Sequence, residues 1–205
     1  MIATFRTMAI CALLAIPAGA FAQDQTGEAE APASEESGTG DPGLSMGAVE
    51  GESEVGRTYV ASEHGAWELR CVKSDAGDDP CQLYQLLSDE QDNSVAEISM
   101  FTLPEGQQAV AGATIVTPLE TLLTANLRLR VDSGKARVYP YSFCSRIGCF
   151  ARVGFTQGEV DAFKAGSAAT VTIVPAAAPD KTVALTLSLS GFTAGWNALL
   201  ASAAE

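Results

Sequence analysis

The sequence predicts an all-β domain, an antiparallel β-sandwich or barrel-like fold with one or two short helices. Short segments alternate between apolar and polar residues, which is typical of half-buried strands. Turns rich in Gly, Pro and Asp separate these segments. Four cysteines form two close pairs in the second part of the chain, a pattern common in exported domains. These observations predict one β domain over residues 57–205.

Residues 1–22 are predicted to be a secretory signal peptide. Arg6 supplies the positive charge, residues 8–16 form an apolar core, and Ala20-Phe21-Ala22 is a cleavage motif before Gln23. The apolar run is too short to cross a bilayer, and no later run reaches about 18 apolar residues. We therefore expect a periplasmic or secreted protein without a transmembrane segment, with outer-membrane association as a further option.

Residues 23–56 are predicted to be a disordered acidic linker. The segment holds nine acidic residues and no Lys or Arg, so it cannot bury enough apolar surface to offset the entropy of ordering. It could be a solvated spacer or a tail for calcium or a cationic partner, although its acids lack EF-hand spacing. The basic residues of the domain are scattered and its charge is negative, so nucleic acid is not an expected partner.

The predicted strands follow from the apolar pattern and the turns between them. Trp67, Leu69 and Cys71 share one side of the first strand, and Leu127 and Leu129 alternate with arginines in a later strand. Residues 119–125 are apolar without a clear period. The strands are predicted at residues 66–72, 81–87, 95–101, 108–116, 127–131, 136–143, 150–155, 169–174 and 182–190.

Two short helices are predicted after the later strands. Thr156 and Glu159 have the spacing of a capping box, with Lys164 in the last turn and Gly166 at the end. Thr193 is the expected cap of a final helix that runs through Leu200.

The four cysteines are predicted to form the disulfides Cys71–Cys81 and Cys144–Cys149. Each pair brackets a turn between consecutive strands, which favours local pairing among the three possible connectivities. Nine and four residues separate the partners, unlike the two-residue spacing of a zinc knuckle. There is also no C-x-x-C motif, so thiol catalysis is the weaker alternative.

No residue pattern supplies a convincing catalytic or metal site. His64, the only histidine, lies near Ser62 and Glu63, but the chain has no G-x-S-x-G nucleophile elbow, and we expect His64 in a solvent-facing loop. Asp75, Asp78 and Asp79 lie in one loop and could bind calcium weakly, although such loops are commonly just solvated turns. We expect neither a metal nor a cofactor.

A group of arginines and tyrosines is the best candidate for a binding face. Arg and Tyr are favoured at the centres of interfaces, and here they are interleaved in neighbouring segments. The alternative is that they are ordinary outward-facing strand residues. The predicted Arg–Tyr face consists of Arg128, Arg130, Arg137, Tyr139, Tyr141 and Arg146, and the expected partner is a protein or another envelope component.

Several landmarks follow one another in a fixed order over about residues 57–200. They are Trp67 with Cys71, Cys81-Gln82, the run from Pro118-Leu119 to Asp132, Cys144 with Gly148-Cys149 and Ala151, and Ser188-Leu189-Ser190-Gly191-Phe192-Thr193. In this order and spacing the chain resembles the invasion associated locus B family of bacterial envelope proteins.

Three positions depart from the pattern of that family. Glu120 and Asn126 stand where Gly is usual, and Gly195 stands where Ala is typical. Because Asn tolerates positive φ, Asn126 is expected to keep the local turn. The resemblance implies an exported β-rich domain, linked in some members to host-cell entry, and no catalytic residues. The leading hypothesis is therefore a non-enzymatic binding protein, and the alternative is a periplasmic enzyme or thiol-redox factor.

Overall fold

The computed structural model describes residues 54–203. The predicted signal peptide and most of the predicted acidic linker lie outside these residues. The last linker residues are described, and the backbone N–H of Gly56 donates to the carbonyl oxygen of Lys73 at 2.8 Å.

Eleven strands and two α-helices build the described part of the chain, with one turn of 3-10 helix at Leu123–Ala125. The helices are α1 (Gln157–Ala165) and α2 (Phe192–Ser202). The strands are β1 (Thr58–His64), β2 (Trp67–Val72), β3 (Cys81–Ser88), β4 (Ser94–Thr102), β5 (Ala111–Thr117), β6 (Leu127–Val131), β7 (Arg137–Tyr139), β8 (Phe143–Ser145), β9 (Gly148–Phe155), β10 (Ala168–Ile173) and β11 (Val183–Ser188).

All strand pairs in this sheet are antiparallel. The strand order is β7-β6-β10-β11-β3-β4-β5-β9-β8, and β1 and β2 extend from β3. The sheet curls into a half-barrel, which confirms the all-β antiparallel prediction with two short helices. In the pairing of β4 with β5, for example, Ile98 lies opposite Ile115 and both are fully buried. A shift of one residue in this register would turn these apolar side chains to solvent.

The stretch from β7 to β8 joins the two ends of this curled sheet. Its first part pairs with β6, with Tyr139 opposite Leu127, and its second part pairs with β9, with Phe143 opposite Phe150. Pro140 lies at the change of partner, where a residue without a backbone N–H costs no strand hydrogen bond. One bent segment therefore bridges both edges of the sheet.

A row of aromatic rings runs through the core. Trp67 contacts Phe192 at 5.3 Å between ring centroids, Phe192 contacts Phe163 at 5.5 Å, and Phe163 contacts Phe155 at 5.0 Å. Tyr139 continues the row at 6.3 Å from Phe155. All four contacts are edge-on, the geometry favoured by aromatic quadrupoles. The row of rings links β2, which begins at Trp67, to both helices and to the bridging segment, which contains Tyr139.

The second helix begins earlier than the sequence predicts. The capping box of α1 is present, with the Thr156 N–H donating to Glu159 Oε2 at 2.9 Å. Helix α2, however, is capped by Gly191, whose φ is 83°, and not by Thr193. The Thr193 hydroxyl instead donates to the carbonyl oxygen of Lys164 at 3.4 Å, which connects the two helices. The turn conformation of glycine thus sets the start of this helix.

Strand β1 was not among the predicted strands. Its residues pair with β2, but the pairing shifts between Val60 and Ser62, and Val60 is 48% exposed. Because a valine faces outward and the register is irregular, β1 lacks the regular alternation of apolar and polar residues from which a strand is predicted. His64 is the last residue of this strand and is half-buried, which corrects the expectation of a solvent-facing loop residue.

Candidate binding face

Two disulfides join directly opposed residues on neighbouring strands. Cys71 on β2 is bonded to its register partner Cys81 on β3. Cys144 on β8 is bonded to its register partner Cys149 on β9. These are the pairs predicted from the sequence. Loops this short give each bond about 2–3 kcal/mol of stabilisation, mainly by restricting the unfolded chain.

Asp79 organises the loop that the first disulfide closes. Its carboxylate accepts hydrogen bonds from the Ser74 N–H at 2.8 Å, the Tyr59 hydroxyl at 2.7 Å and Lys73 Nζ at 3.0 Å. The bond from Ser74, followed by those from Tyr59 and Lys73, lowers the pKa of Asp79 to about 2. In residues 54–203 no three His, Cys, Asp or Glu side chains are grouped to hold a metal ion. Asp79 therefore ties the loop to Tyr59 on β1 as well as to its own neighbours Ser74 and Lys73.

Ser62 and His64 lie side by side on β1. The Ser62 hydroxyl and His64 Nε2 are 2.9 Å apart, because residues two apart on a strand share one side. A nucleophile–base pair also needs a group that orients the imidazole and donors for an oxyanion. The hydrogen bonds found within residues 54–203 place no carboxylate on His64. The pair is thus only a fragment of a catalytic arrangement.

The predicted Arg–Tyr face is divided among three places. Arg128 and Arg130 point outward from β6, where both are exposed. Arg128 lies opposite Val138 on β7 and opposite Thr172 on β10, so these three side chains share the outer side of the sheet.

Arg137 and Tyr139 belong to the inner side, next to helix α1. Arg137 Nε forms an ion pair with Glu159 Oε1 at 2.7 Å, and the Tyr139 hydroxyl donates to the same oxygen at 3.3 Å. Burial, together with the nearby Glu159, raises the pKa of Tyr139 to about 12. Arg137 and Glu159 border a cavity of about 390 Å³, with Leu129 and Phe163 among its other lining residues. They hold α1 to the sheet.

Tyr141 and Arg146 lie farther along the bridging segment. The Thr117 hydroxyl is 3.5 Å from the Tyr141 hydroxyl, and burial raises the pKa of Tyr141. Arg146 is exposed in the turn closed by the second disulfide, beside Ile147, which is 76% exposed. The six predicted residues therefore do not form one continuous surface.

The outward arginines of β6 belong to a smaller and more uniform surface. Arg130 lies opposite Thr170, and Arg128 lies opposite Thr172. The two arginines, the two threonines and Thr182 line a shallow depression of about 260 Å³. We name these five residues the Arg–Thr face. Strands β6, β7, β10 and β11 contain no Asp or Glu, so no acidic strand residue neutralises the arginines.

Charge is unevenly divided around the half-barrel. Residues 54–120, which form β1–β5, hold twelve acidic and three basic residues, a net charge of −9. Residues 121–203, which form β6–β11 and both helices, hold four acidic and eight basic residues, a net charge of +4. Because β6–β11 lie together around the curl, one side of the domain is basic and the other acidic. The Arg–Thr face lies on the basic side.

Two groups of landmark residues outside the cysteine pairs, around Trp67 and around Ser188–Gly191, contact each other through backbone groups. Trp67 Nε1 donates to the carbonyl oxygen of Ser188 at 2.9 Å, and the Ala66 N–H donates to that of Ser190 at 3.1 Å. Gly191 packs against the backbone of His64. Asn126 keeps the expected turn, with φ of 57°. These contacts therefore stabilise the fold.

The fold and the Arg–Thr face define a class of protein: a disulfide-stapled antiparallel half-barrel with a cationic outer face. A family model, described as invasion associated locus B (IalB) protein, matches residues 67–200. The chain belongs to this family.

Comparison with solved structures gives the same fold. The crystal structure of invasion associated protein b from Bartonella henselae aligns with a TM-score of 0.60 and 24% sequence identity. The alignment covers 70% of this chain and 98% of that chain. A comparison with curated proteins found no match. Within the residues that the structure describes, no helix has the length and apolar character needed to cross a membrane.

Proposed function

We propose that this chain is an exported, non-enzymatic binding protein that uses the Arg–Thr face to hold an acidic component of the cell envelope or of a host surface. The predicted leader at residues 1–22 supports export, and residues 57–205 supply the binding domain. Two disulfides suit an oxidising compartment outside the cytoplasm.

One observation carries the proposal: Arg128 and Arg130 lie side by side with threonine hydroxyls on strands that contain no acidic residue. In the described part of the chain neither arginine forms an ion pair. Guanidinium groups bind carboxylates and phosphates through paired N–H donors, and nearby hydroxyls add further donors. This face therefore suits an anionic group of a partner.

Reversing the charge of the Arg–Thr face should weaken binding to an acidic probe. We expect R128E/R130E to reduce affinity for immobilised heparin by about 10- to 100-fold, because two charged contacts become repulsive. R146E/R152E is the matched control, since it makes the same charge change at exposed positions outside the face. Affinity would be measured by biolayer interferometry at low ionic strength, and circular dichroism would check the fold.

Equal losses in the two variants would contradict this proposal, because binding would then follow net charge and not the face. Crosslinked pull-down from the native envelope, with the same two variants, would identify the physiological partner.

The close contact between Ser62 and His64 favours one alternative, a hydrolase. We expect the folded protein not to react with a fluorophosphonate probe, because the pair lacks an orienting carboxylate among the described residues. The measurement is intact mass before and after exposure, with S62A as the control. Stoichiometric labelling that S62A abolishes would establish the enzyme instead.

A further inference from the structure

An apolar row of side chains crosses the outer side of the sheet on strands β3, β4, β5, β9 and β8. The register runs from Leu86 to Glu97, Val116, Phe150 and Phe143. On β3, β4, β5 and β9 the residues before and after these positions are buried, so the row itself points away from the core. Four of its five side chains are apolar, whereas the wet face of an antiparallel sheet is normally polar. This side of the sheet therefore has the composition of a contact surface.

Ile147 extends the apolar row at its edge. It is 76% exposed in the turn between β8 and β9, which the disulfide Cys144–Cys149 closes. Beside it lies a depression of about 420 Å³, whose apolar lining includes Leu86, Val116 and Ile147 itself. Because a cavity of about 150 Å³ already holds a benzene molecule, this depression has room for a second isoleucine side chain. We name the following residues the apolar outer face: Leu86, Val95, Val116, Phe143, Ile147 and Phe150.

The two flanks of the apolar outer face carry opposite charge. Residues 81–102, which form β3, β4 and their loop, hold four acidic residues and no Lys or Arg. Residues 141–155, which form β8 and β9, hold two arginines and no Asp or Glu. Both arginines, Arg146 and Arg152, are exposed, and in residues 54–203 neither forms an ion pair. The face is thus acidic on one flank and basic on the other.

A twofold axis that runs along the strands through β5 matches these features in pairs. Such an axis turns a second copy over onto the first, so that each flank lies against the opposite flank of the other copy. The acidic flank of each copy then meets Arg146 and Arg152 of the other, and Ile147 of each copy enters the depression of the other. An axis across the strands would instead set like charges against each other. The apolar outer face is therefore complementary to itself in one orientation.

We propose that the apolar outer face binds a second copy of this chain in a twofold-symmetric dimer, in which each Ile147 occupies the depression of the other copy. The face spans four strand spacings, about 19 Å, which places the dimer among transient interfaces that bury less than about 1,200 Å². The Arg–Thr face lies on other strands, so the dimer presents two such faces at once. Two linked faces bind a repetitive surface more tightly than one.

Loss of Ile147 is expected to break the dimer. Sedimentation velocity of the full chain, produced with its own leader, should show self-association as the concentration rises to about 1 mM, where even millimolar dissociation constants are measurable. I147S should raise the dissociation constant about 100-fold, because a symmetric interface loses the buried side chain twice. L200S is the matched control and should change nothing, since Leu200 is also an exposed aliphatic residue but lies on α2 outside the face.

Charge reversal tests the twofold arrangement. R146E/R152E and E90K/E97K should each associate more weakly at low ionic strength, because like charges then face each other. An equimolar mixture of the two variants should restore the dimer, since the introduced glutamates of one lie against the introduced lysines of the other. R128E/R130E should leave self-association unchanged, which separates this dimer from the proposed role of the Arg–Thr face. Circular dichroism checks that each variant is folded.

Several results would overturn the dimer. A wild-type chain that stays monomeric at the highest concentration excludes it, and so does an I147S variant that associates as strongly as the wild type. A mixture of the two charge variants that stays monomeric excludes the twofold arrangement. A photo-reactive residue at position 147, activated in the native envelope, distinguishes the occupants. A conjugate of twice the chain mass supports a second copy, whereas a conjugate with a different protein assigns the face to that protein instead.

Discussion

Replacing Gly191 with alanine is expected to lower the free energy of unfolding by about 3–5 kcal/mol. Gly191 has φ of 83°, and a left-handed conformation costs a non-glycine residue about 1–2 kcal/mol. An added Cβ would also lie 2.0 Å from the carbonyl oxygen of His64 and 2.9 Å from the backbone nitrogen of Gly65. Because both neighbours are backbone atoms, no side chain can move aside, and overpacking adds about 1–3 kcal/mol or more.

Gly106 provides a matched control for this substitution. Its φ is 85°, almost the same as that of Gly191, but an added Cβ would meet nothing within 4 Å. G106A should therefore lose only the conformational contribution of about 1–2 kcal/mol. Urea unfolding followed by circular dichroism measures both variants. Similar losses in G106A and G191A would show that the contact between β1 and the start of α2 contributes little.

Replacing Gln85 with leucine is expected to lower the free energy of unfolding by about 2–3 kcal/mol. Gln85 is only 6% exposed, and its amide donates to the carbonyl oxygen of Ser188 at 3.0 Å while accepting from the Ser188 N–H at 2.8 Å. Strands β3 and β11 otherwise share the single pair Ser88 and Thr186. The side-chain amide of Gln85 thus makes the two hydrogen bonds to the Ser188 backbone that a residue of a neighbouring strand would otherwise make.

The cost of this substitution falls mainly on one backbone group. Trp67 Nε1 also donates to the Ser188 carbonyl, so that oxygen keeps a partner, whereas the Ser188 N–H is left without its acceptor. An unsatisfied buried donor costs about 1–3 kcal/mol. Q85E keeps the acceptor oxygen but sets a buried carboxylate oxygen against the Ser188 carbonyl, so it should lose at least as much as Q85L. Q82L on the same strand is the control, and an equal loss there would contradict the role of Gln85.

Much of the fold could be predicted because its signals are local. The alternation of Leu127 and Leu129 with Arg128 and Arg130 predicts both a strand and its outward arginines. The spacing within each cysteine pair predicts a bond across a turn, since Cys71 and Cys81 flank a single loop. These features need only neighbouring residues.

The division of the predicted Arg–Tyr face could not be predicted in this way. On β7, the side chains of Arg137 and Tyr139 lie on the side of helix α1, where Arg137 stays 61% exposed, while the apolar Val138 on the opposite side is 55% exposed. The reason lies on helix α1, where Glu159 satisfies both polar groups. Because Glu159 is twenty or more positions away in the sequence, the residues around Arg137 and Tyr139 do not indicate this contact.

Gln85 illustrates the same limit. It lies in the segment Cys81–Ser88 on the same face as the buried Leu83 and Leu87, but its partner is 103 positions away, so the local pattern does not show how its amide is satisfied. Likewise, the positive φ of Gly191 could not be inferred from a single chain, because the turn depends on contact with β1. Long-range contacts therefore decide which polar residues hold the structure together.

The uneven charge around the half-barrel has a consequence for the speed of encounter. Opposite net charges on its two sides give the domain an electric dipole. In the field of an acidic surface, such a molecule rotates during approach, so that the side formed by β6–β11 arrives first. Productive collisions become more frequent than random orientation allows, and added salt removes this advantage. Toward the acidic partner proposed above, the domain would thereby be oriented before any residue touches it.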